Sequence, residues 1–444
     1  MKIRPISGFP EWLPEQRLVE QRLLDEVRRR FELFGFRPIQ TRAVEPLDRL
    51  THQGSTDKEI YVIRRLHADP EQRDDKLGLH FDLTVPFARY TLENRGQLVF
   101  PFKRYQIQKV WRGERPQEGR YREFYQADID VIGQDTLPLC FDAEMPLLIH
   151  AVTSALPLPP VRVHVGHRKV LEGFYRGVGI EQITPVLRLT DKLDKIGADE
   201  VRAQLVRDVG LTPEQSERCL ALSQIRGGTE IIEQVRALGV EHELLETGLT
   251  ELGEVLRAAA SLPPGTVVAN LGIARGFDYY TGTVYEAFLT GMESIGAICS
   301  GGRYDNLADA GQTARFPGVG VSLGLTRLLG PLFARHKLAP TRRTPTCVLV
   351  ALDKEETRDR SLAVATRLRA RGIACEVFHA AQKYGKQIKY ADKLGIPFVW
   401  FCGDDDVEGQ IRDIRTGEQV AAHADQWEPP DDDRWPRVIR PDEP

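Results

Sequence analysis

Paired cysteines and long apolar runs are what this sequence of 444 residues lacks. Its six cysteines lie far apart, with neither a Cys-x-x-Cys pair nor a Cys/His pair at zinc-ligand spacing, which argues against a metal centre and against a disulfide framework. No apolar run reaches membrane-spanning length, and the first residues lack the apolar core of a signal peptide. We therefore expect a cytoplasmic protein with no membrane segment and no bound structural metal.

A large excess of either charge is absent as well. The formal net charge is -4, which argues against a wholly basic nucleic-acid coat, although local patches can still contact the phosphates of RNA. Hydrophobic residues make up 41% of the chain and charged residues 28%, proportions that are typical of a soluble globular protein. The length predicts about two or three domains.

A hairpin at residues 102–133 is the most informative stretch. Its pattern predicts strands at 105–112 and 123–132, and the charged loop between them contains the turn residues Pro116 and Gly119. The loop also carries arginines beyond the one that ends the first strand. Such a hairpin is suited to hold a small, polar and anionic group.

The second strand of this hairpin has one polar face, because side chains alternate across a strand. Gln126, Asp128 and Asp130 share that face, whereas the residues between them are apolar and fit a core. Arg112 ends the first strand beside the polar face. Asp128 is the member of the set to which the sequence assigns no role.

Earlier in the chain, the sequence predicts a strand around residues 79–84, ended by Pro86 and followed by a helix. His80, Asp82 and Thr84 would share one face of that strand. A carboxylate and a hydroxyl are acceptors that an ammonium group needs, so Asp82 and Thr84 are candidates to bind one. Taken alone, the two residues fit an ordinary surface strand as well.

Two later segments carry an arginine beside glycine-rich sequence. Arg275 precedes Tyr279 and Tyr280 in the first segment, and Arg327 begins a helix after a glycine-rich strand in the second. Arginine stays charged and binds phosphate through two parallel hydrogen bonds, so these residues together with Arg112 suit a nucleoside triphosphate. A glycine-rich strand before a helix also fits simple packing, and the lack of a GxGxxG pattern in a βαβ unit argues against a Rossmann site.

Helical periodicity surrounds these segments. It occurs at 15–34, where Gly35 ends the helix, and repeatedly between residues 168 and 260. The first helix fits either core packing or a subunit interface. After the TRRTP linker, strands and helices alternate and predict a small α/β unit, which is followed by a Pro- and Asp-rich tail that predicts disorder.

Together these segments resemble the class II aminoacyl-tRNA synthetases, and within that class the histidyl-tRNA synthetase family, over nearly the whole chain. VWRGERPQEGRYREFYQ is similar to motif 2 and GVGVSLGLTRL to motif 3, while the helix and strand at 15–46 resemble motif 1. ARGFDYYTGTVYEA is similar to the histidine-specific signature of the family, and HFDLTVPFARY resembles its amino-group-binding segment.

The resemblance implies an α+β fold with the antiparallel sheet of class II synthetases flanked by helices. It also implies a helical insertion and a C-terminal α/β anticodon-binding domain. The expected boundaries are 1–165 and 263–335 for the catalytic domain, 166–262 for the insertion, 345–428 for the anticodon-binding domain and 429–444 for the disordered tail.

The implied function is that of a ligase that activates L-histidine with ATP to histidyl-adenylate and transfers histidine to the 3' end of tRNA(His). The residues that would bind histidine are Asp82, Thr84 and Gln126 at the α-ammonium, and Asp130, Tyr279 and Tyr280 at the imidazole. Neutral imidazole offers one donor and one acceptor, which a carboxylate and a phenol can serve.

The arginines would supply the catalytic charge. Arg112 and Arg275 would grip the ATP α-phosphate and the substrate carboxylate and would stabilise the charge that develops when the carboxylate attacks phosphorus. Arg327 would lie along the γ-phosphate or the adenine, with Mg²⁺ on the ATP phosphates. The loop at 114–122 would meet the acceptor end of tRNA, and motif 1 would form a homodimer interface.

This chain departs from the family pattern at three places. Arg42 follows Thr41 where motif 1 usually carries a proline, and Thr326 precedes the motif 3 arginine where an acidic residue is common. The threonine weakens any metal role at that position. Asp82 stands where some relatives have glutamate, a longer side chain with the same charge.

Two non-catalytic alternatives share many of these features. One is the synthetase-like regulatory subunit of ATP phosphoribosyltransferase, and the other is a sensor of uncharged tRNA. Paralogues of the first kind typically lack the C-terminal domain and degrade the RGFDYY segment, whereas this chain keeps both. The sequence therefore favours the active synthetase.

Overall fold

The chain divides into two compact units, which are described separately. One unit comprises Met1–Pro10 and Asp25–Pro331, and the other comprises Glu11–Leu24 and Leu332–Pro444. The structure, a computed structural model, describes residues 4–51, 59–67, 76–273, 280–305 and 315–441. Within these ranges, no helix has the length and apolar character needed to cross a bilayer.

The N-terminal part of the chain leads from a long helix into the central hairpin. Val19, Leu23, Val27 and Phe31 recur at helical spacing and are buried, and the turn after the helix contains Gly35 at a positive φ of 77°. The helix predicted at 15–34 is thus confirmed. The elements of this part are α1 (Pro14–Leu33), β1 (Arg37–Pro38), β2 (Val44–Pro46), α2 (Leu47–Thr51), β3 (Val62–Ile63), β4 (Leu77–Leu79), α3 (Thr84–Asn94), β5 (Phe102–Trp111) and β6 (Glu123–Ile132).

The hairpin of β5 and β6 has the predicted form. The second strand has the predicted ends, and the first lies three residues earlier at its start and one residue earlier at its end. Trp111 lies opposite Glu123, and the indole Nε1 donates to the carboxylate at 2.8 Å where the hairpin opens into its loop. At the other end of the register, Arg104 lies opposite Asp130.

The prediction of a strand around 79–84 is wrong. β4 ends at Leu79, and α3 already begins at Thr84. Pro86 is compatible with the first helical turn because an N–H there has no intrahelical partner to lose. His80 therefore does not share a strand face with Asp82; it is buried, with its ring centroid 5.6 Å from that of Trp111.

Helices dominate the region from residue 168 to 260, as the periodicity predicts. Gly173 and Gly248 bring two of them close together, since a Cβ on Gly173 would lie 2.3 Å from the Leu245 nitrogen. The elements of this region and the strand before it are α4 (Cys140–Thr153), β7 (Val161–His167), α5 (Arg168–Gly177), α6 (Ile183–Thr190), α7 (Leu193–Ile196), α8 (Ala198–Val209), α9 (Pro213–Ser223), β8 (Arg226–Gly227), α10 (Ile231–Arg236) and α11 (Glu243–Ala259).

A nine-stranded, mostly antiparallel sheet organises this unit. After the helices the chain returns to it through β9 (Val267–Asn270), β10 (Tyr280–Leu289), β11 (Cys299–Tyr304), β12 (Gly318–Gly324) and α12 (Leu325–Ala334). The strand order is β1-β5-β6-β12-β11-β10-β7-β9-β8. The hairpin is therefore joined directly to the glycine-rich strand β12, which is far from it in sequence.

The C-terminal unit is a small α/β structure, as the alternating pattern predicts. Its five-stranded sheet has the order β15-β14-β16-β17-β18 and packs around the fully buried Trp400. The elements after α12 are β13 (Ala339–Pro340), β14 (Val348–Val350), α13 (Arg358–Ala370), β15 (Cys375–Val377), α14 (Tyr384–Leu394), β16 (Phe398–Cys402), β17 (Glu408–Asp413), β18 (Gln419–His423), α15 (Asp431–Arg434) and β19 (Val438–Ile439).

The tail predicted to be disordered is structured over its described part. Residues 429–441 include α15 and β19, and β19 pairs with β13 in an antiparallel ladder. The acidic run supplies specific ion pairs, because Asp433 and Asp413 both accept hydrogen bonds from Arg415. Composition predicted a disordered tail, but these long-range pairings hold the described part in place.

Candidate active site

Two cavities lie on one face of the nine-stranded sheet and share walls formed by Arg112, Gln126 and Tyr280. The inner pocket has a volume of about 100 Å³ and lies over β6 and β12. The outer cavity, of about 380 Å³, extends from the shared walls toward the hairpin loop and the first turn of α12. The site thus offers a small compartment that opens into a larger one.

The floor of the inner pocket is the polar face predicted for β6. Gln126, Asp128 and Asp130 all line the pocket and are all buried. Gln126 donates through Nε2 to the hydroxyl oxygen of Ser322, on the neighbouring strand, at 2.7 Å. Gln126 Oε1 and Asp128 Oδ1 find no hydrogen-bond partner among the described residues, so both acceptors remain available to a ligand.

Asp130 is held by two buried partners. Arg104 Nη2 lies 2.5 Å from Oδ2, and the hydroxyl of Tyr304 donates to Oδ1 at 2.8 Å. Burial raises the pKa of this carboxyl to about 6, against the opposing effects of Arg104 and Tyr304. Both partners favour the ionised carboxylate in this enclosed position.

Asp128 occupies the middle of the pocket floor, between Gln126 and Asp130 along β6. Burial raises the pKa of its carboxyl to about 7, and the neighbouring Asp130 and Asp82 add to the effect, while Arg104 and Ser322 oppose it. The pocket without a ligand therefore favours the protonated form of this carboxyl. A cation placed in the pocket would favour the ionised form.

Asp82 and Thr84 line the inner pocket at the start of α3. Asp82 Oδ1 accepts a hydrogen bond from the backbone N–H of Val85 at 3.1 Å, which orients the carboxylate over the helix end. Burial raises the pKa of Asp82, although the Val85 N–H and Arg112 act in the opposite direction. The structure brings both predicted residues to the pocket, but on a helix start instead of a strand.

Arg112 lies on the boundary between the two cavities. Its Nε donates to the carbonyl oxygen of Phe81 at 2.9 Å, and its guanidinium lies over the ring of Phe124, 5.2 Å from the centroid. The terminal nitrogens remain near both compartments, with Glu114 at 3.9 Å. This position suits a group that contacts an anion spanning the boundary.

Arg327 lies on the far side of the outer cavity, in the first turn of α12 as predicted. Its Nε and Nη2 donate to the carbonyl oxygen of Ile295 at 3.2 and 3.0 Å. Gly296 makes room for the guanidinium, because a Cβ there would lie 2.6 Å from Nη2. The side chain is therefore fixed against the cavity wall.

Glycines of β12 and β11 allow neighbouring groups to approach the backbone closely. A Cβ on Gly320 would lie 2.1 Å from Asp130 Oδ1, and a Cβ on Gly301 would lie 2.1 Å from the carbonyl oxygen of Gly320. Any larger residue would push into the carboxylate or separate the strands. Tyr280, at the start of β10, completes the wall of both cavities.

Two predicted site residues, Arg275 and Tyr279, lie outside the described residues. Sequence reasoning also missed Tyr304 and Ser322, which line the inner pocket, and Arg104, which lies behind the pocket against Asp130. Arg104 lies directly across from Asp130 in a hairpin register that the sequence leaves undetermined. The other two come from strands whose neighbours the sequence does not reveal.

The departures at Arg42 and Thr326 have local explanations. Arg42 donates to the buried carboxylate of Glu45 at 3.2 Å. The hydroxyl oxygen of Thr326 accepts a hydrogen bond from the backbone N–H of Tyr125 at 2.9 Å, which connects α12 to the hairpin.

Across the described parts of the chain, no group of three or more His, Cys, Asp or Glu side chains is arranged to hold a metal ion.

Comparison with protein families identifies two matches. The family described as histidyl-tRNA synthetase matches residues 8–328, and the one described as anticodon binding domain matches residues 346–428. The chain is 53% identical over 450 residues to the histidine–tRNA ligase of Cutibacterium acnes, covering 99% of each protein. It is also 53% identical over 426 residues to that of Thermobifida fusca, covering 95% of this chain and 97% of the relative.

Solved structures agree with these matches. The histidyl-tRNA synthetase from Nostoc sp. PCC 7120 has a TM-score of 0.86 and 35% identity, covering 96% of this chain and 98% of that one. A structure described as an ATP phosphoribosyltransferase regulatory subunit/histidyl-tRNA synthetase from Bacillus halodurans has a TM-score of 0.72 and covers 88% and 97%. At 21% identity, that likeness extends to the fold alone.

Proposed function

This chain belongs to the histidyl-tRNA synthetase family, and we propose that its two cavities bind L-histidine and ATP, join them as histidyl-adenylate and then pass histidine to the 3' end of tRNA(His). The observation that carries the proposal is the buried acceptor floor of Gln126, Asp128 and Asp130, with Arg112 at its border to a larger cavity. The acceptors of the floor suit the ammonium group of an amino acid, and the guanidinium of Arg112 suits its carboxylate.

Histidine would lie in the inner pocket. Its α-ammonium would contact Asp82, Thr84 and Gln126, whose oxygens line one part of the pocket. The imidazole would donate to Asp130 and accept from Tyr280, with Tyr279 beside them. The support for Asp130 is its place on the floor of the inner pocket, since a carboxylate accepts strong hydrogen bonds.

ATP would occupy the outer cavity. Arg112 and Arg275 would hold the α-phosphate and the histidine carboxylate, and Arg327 would contact the γ-phosphate or the adenine. In the first step a carboxylate oxygen attacks the α-phosphorus, the bond to the bridging oxygen breaks and pyrophosphate leaves with that electron pair. The guanidinium groups stabilise the charge that spreads over the phosphoryl oxygens.

Mg²⁺ would enter as part of the nucleotide substrate. The described residues contain no three-ligand cluster that could hold it without the phosphates, and Thr326 supplies a hydroxyl where a carboxylate would assist. Carboxylates of the outer cavity, Glu114 and Glu286, are the side chains that could reach an ion held on the phosphates. The ion would neutralise the leaving pyrophosphate.

The remaining assignments concern tRNA and assembly. The loop at 114–122 would meet the acceptor end of tRNA, residues 345–428 would bind the anticodon, and 166–262 would form the insertion of a catalytic domain at 1–165 and 263–335. The motif 1 segment at 15–46 would form a homodimer interface. The protein would act in the cytoplasm.

A regulatory subunit or a sensor of uncharged tRNA would keep the fold without the chemistry. The relatives that favour an active enzyme are histidine–tRNA ligases at 53% identity over nearly the full length. The test is histidine-dependent exchange of pyrophosphate into ATP, followed by charging of tRNA(His). Folded protein that shows neither reaction would refute the proposal.

Two variants test whether Arg112 takes part in the reaction. Arg112→Ala should lower the exchange rate by about 100- to 1,000-fold, as expected for the loss of one preorganised charge at the reacting phosphate. Arg202→Ala, on the surface of the helical region, should leave exchange unchanged, because its partners Asp199 and Glu217 are exposed. Equal rates in the two variants would remove Arg112 from the site.

A further inference from the structure

A buried guanidinium lies beneath the inner pocket and has no role in the assignments above. Arg104 is on β5, directly across from Asp130 on β6, and is fully buried. A buried arginine is unusual because the charge loses its hydration, so its partners must compensate. Two of those partners, Asp128 and Asp130, line the inner pocket.

The contacts of Arg104 fix it from several sides. Its Nη2 lies 2.5 Å from Asp130 Oδ2 and donates to the carbonyl oxygen of Leu83 at 3.3 Å, while Nη1 donates to the carbonyl oxygen of Asp128 at 3.4 Å. The ring of Phe87 covers the guanidinium, 4.3 Å from its centroid. The side chain thus connects the floor of the pocket to the N-terminal end of α3.

The charges around Asp130 show why this contact matters. The groups that face it are Arg104 from β5, Asp128 on its own strand, Asp82 before α3 and the phenol of Tyr304 from β11, with the uncharged Gly320 opposite on β12. Two of them are carboxyls that disfavour a further negative charge. Arg104 supplies the opposite charge at contact distance.

Without that charge, Asp130 would be a carboxyl buried among other carboxyls. Such a group takes up a proton and becomes a weaker acceptor with a different hydrogen-bond pattern. With Arg104 on Oδ2 and Tyr304 on Oδ1, both oxygens are oriented and each retains a lone pair for a ligand. The carboxylate is therefore prepared before histidine arrives.

We propose that Arg104 is a positioning residue for histidine recognition, whose guanidinium supplies the counter-charge and orientation that let Asp130 accept an N–H from the substrate imidazole. The inference rests on the proposed function, because it assumes that Asp130 meets the imidazole. Arg104 itself does not line either cavity within the described chain, so it acts only through Asp130.

The test compares kinetic constants of Arg104→Met and Arg104→Lys in pyrophosphate exchange. Methionine fills the buried space without charge. We expect Arg104→Met to raise the KM for histidine about 10- to 100-fold, the effect of losing a hydrogen bond to a charged acceptor. The KM for ATP should stay within about twofold. Lysine restores the charge with fewer donors and should recover part of the loss. Without the counter-charge, the KM for histidine should also fall as pH rises from about 7 to 9, where the wild type changes little.

Arg303→Met is the matched control. Arg303 forms another buried ion pair, with Asp142 at 2.8 Å, on residues that do not line the two cavities. Its loss should lower the unfolding temperature without a selective change in the KM for histidine. A purely structural Arg104 would behave in the same way, and that outcome would overturn the proposal.

A double variant covers the case in which Arg104→Met does not fold. Arg104→Met/Asp130→Asn removes both charges and leaves no uncompensated ion in the interior. We expect it to fold and to bind histidine weakly; a wild-type KM for histidine would overturn the inference. If the wild-type protein itself shows no exchange, the proposed function fails and not the role of Arg104 alone.

Discussion

Asp128 provides a test of the inner pocket that depends on pH alone. Burial raises the pKa of its carboxyl to about 7, against an ordinary value of about 4 in the unfolded chain. Between these two pH values, the folded protein keeps a proton that the unfolded chain has released. The free energy of unfolding therefore falls as pH rises from about 4 to about 7 and levels off above that range.

The substitution Asp128→Asn should remove this pH-dependent loss of unfolding free energy, because an amide does not titrate. A raised pKa of about 7 corresponds to a shift of about 3 units, so ionisation costs the folded wild type about 4 kcal/mol at high pH as an upper limit. Much of the loss lies between pH 5 and 8. Over that interval the variant should gain about 2 to 3 kcal/mol of stability relative to the wild type.

The assay is the thermal unfolding temperature of both proteins without ligand, measured from pH 5 to pH 8. Asp199→Asn is the control, since the side chain of Asp199 is 98% exposed on the helical region. The gap between Asp128→Asn and the wild type should widen as pH rises. A gap that is constant over the whole range would refute the account of a buried, proton-holding carboxyl.

Three further predictions address other parts of the protein. Gly320→Ala places a Cβ 2.1 Å from Asp130 Oδ1, so the KM for histidine should rise at least about tenfold, whereas Gly96→Ala, with open space at its Cβ, should change nothing. Arg275→Ala should reduce adenylate formation in pyrophosphate exchange by orders of magnitude and leave tRNA binding, measured by filter retention, nearly intact. Burial raises the pKa of Glu251, but the nearby His167 and the hydrogen bond from Lys169 lower it to about 2. Glu251→Gln should therefore destabilise the protein to thermal unfolding above pH 5 and lose this effect as pH falls toward 2.

The polar floor of the pocket could be predicted from sequence because its cause is local. The period of two along a strand places Gln126, Asp128 and Asp130 on one side whatever the rest of the fold does. The same holds for the helical period of α1 and for the turn at Gly35. Local periodicity was enough to find the surface on which the site is built.

Residues contributed by other segments could not be found in this way. Arg104 depends on the register of the hairpin, which its charged loop leaves undetermined, and Ser322 depends on β12 being the neighbour of β6. Asp82 was placed on a strand because Pro86 was interpreted as a strand end instead of a first-turn helical residue. In each case the deciding contact joins residues that are distant in sequence.

The charge balance of the inner pocket connects these observations. Asp82, Asp128 and Asp130 face two guanidinium groups, and of these Arg112 also borders the outer cavity, where it can pair with an anion of the ligand. Burial raises the pKa of all three carboxyls, and the inner pocket then retains more carboxyls than its buried cation Arg104 can neutralise. A ligand with a cationic amine restores the balance, and a neutral molecule of the same shape does not. Under the proposed function, the pocket would select an amino acid by charge before the imidazole contacts distinguish histidine from other side chains.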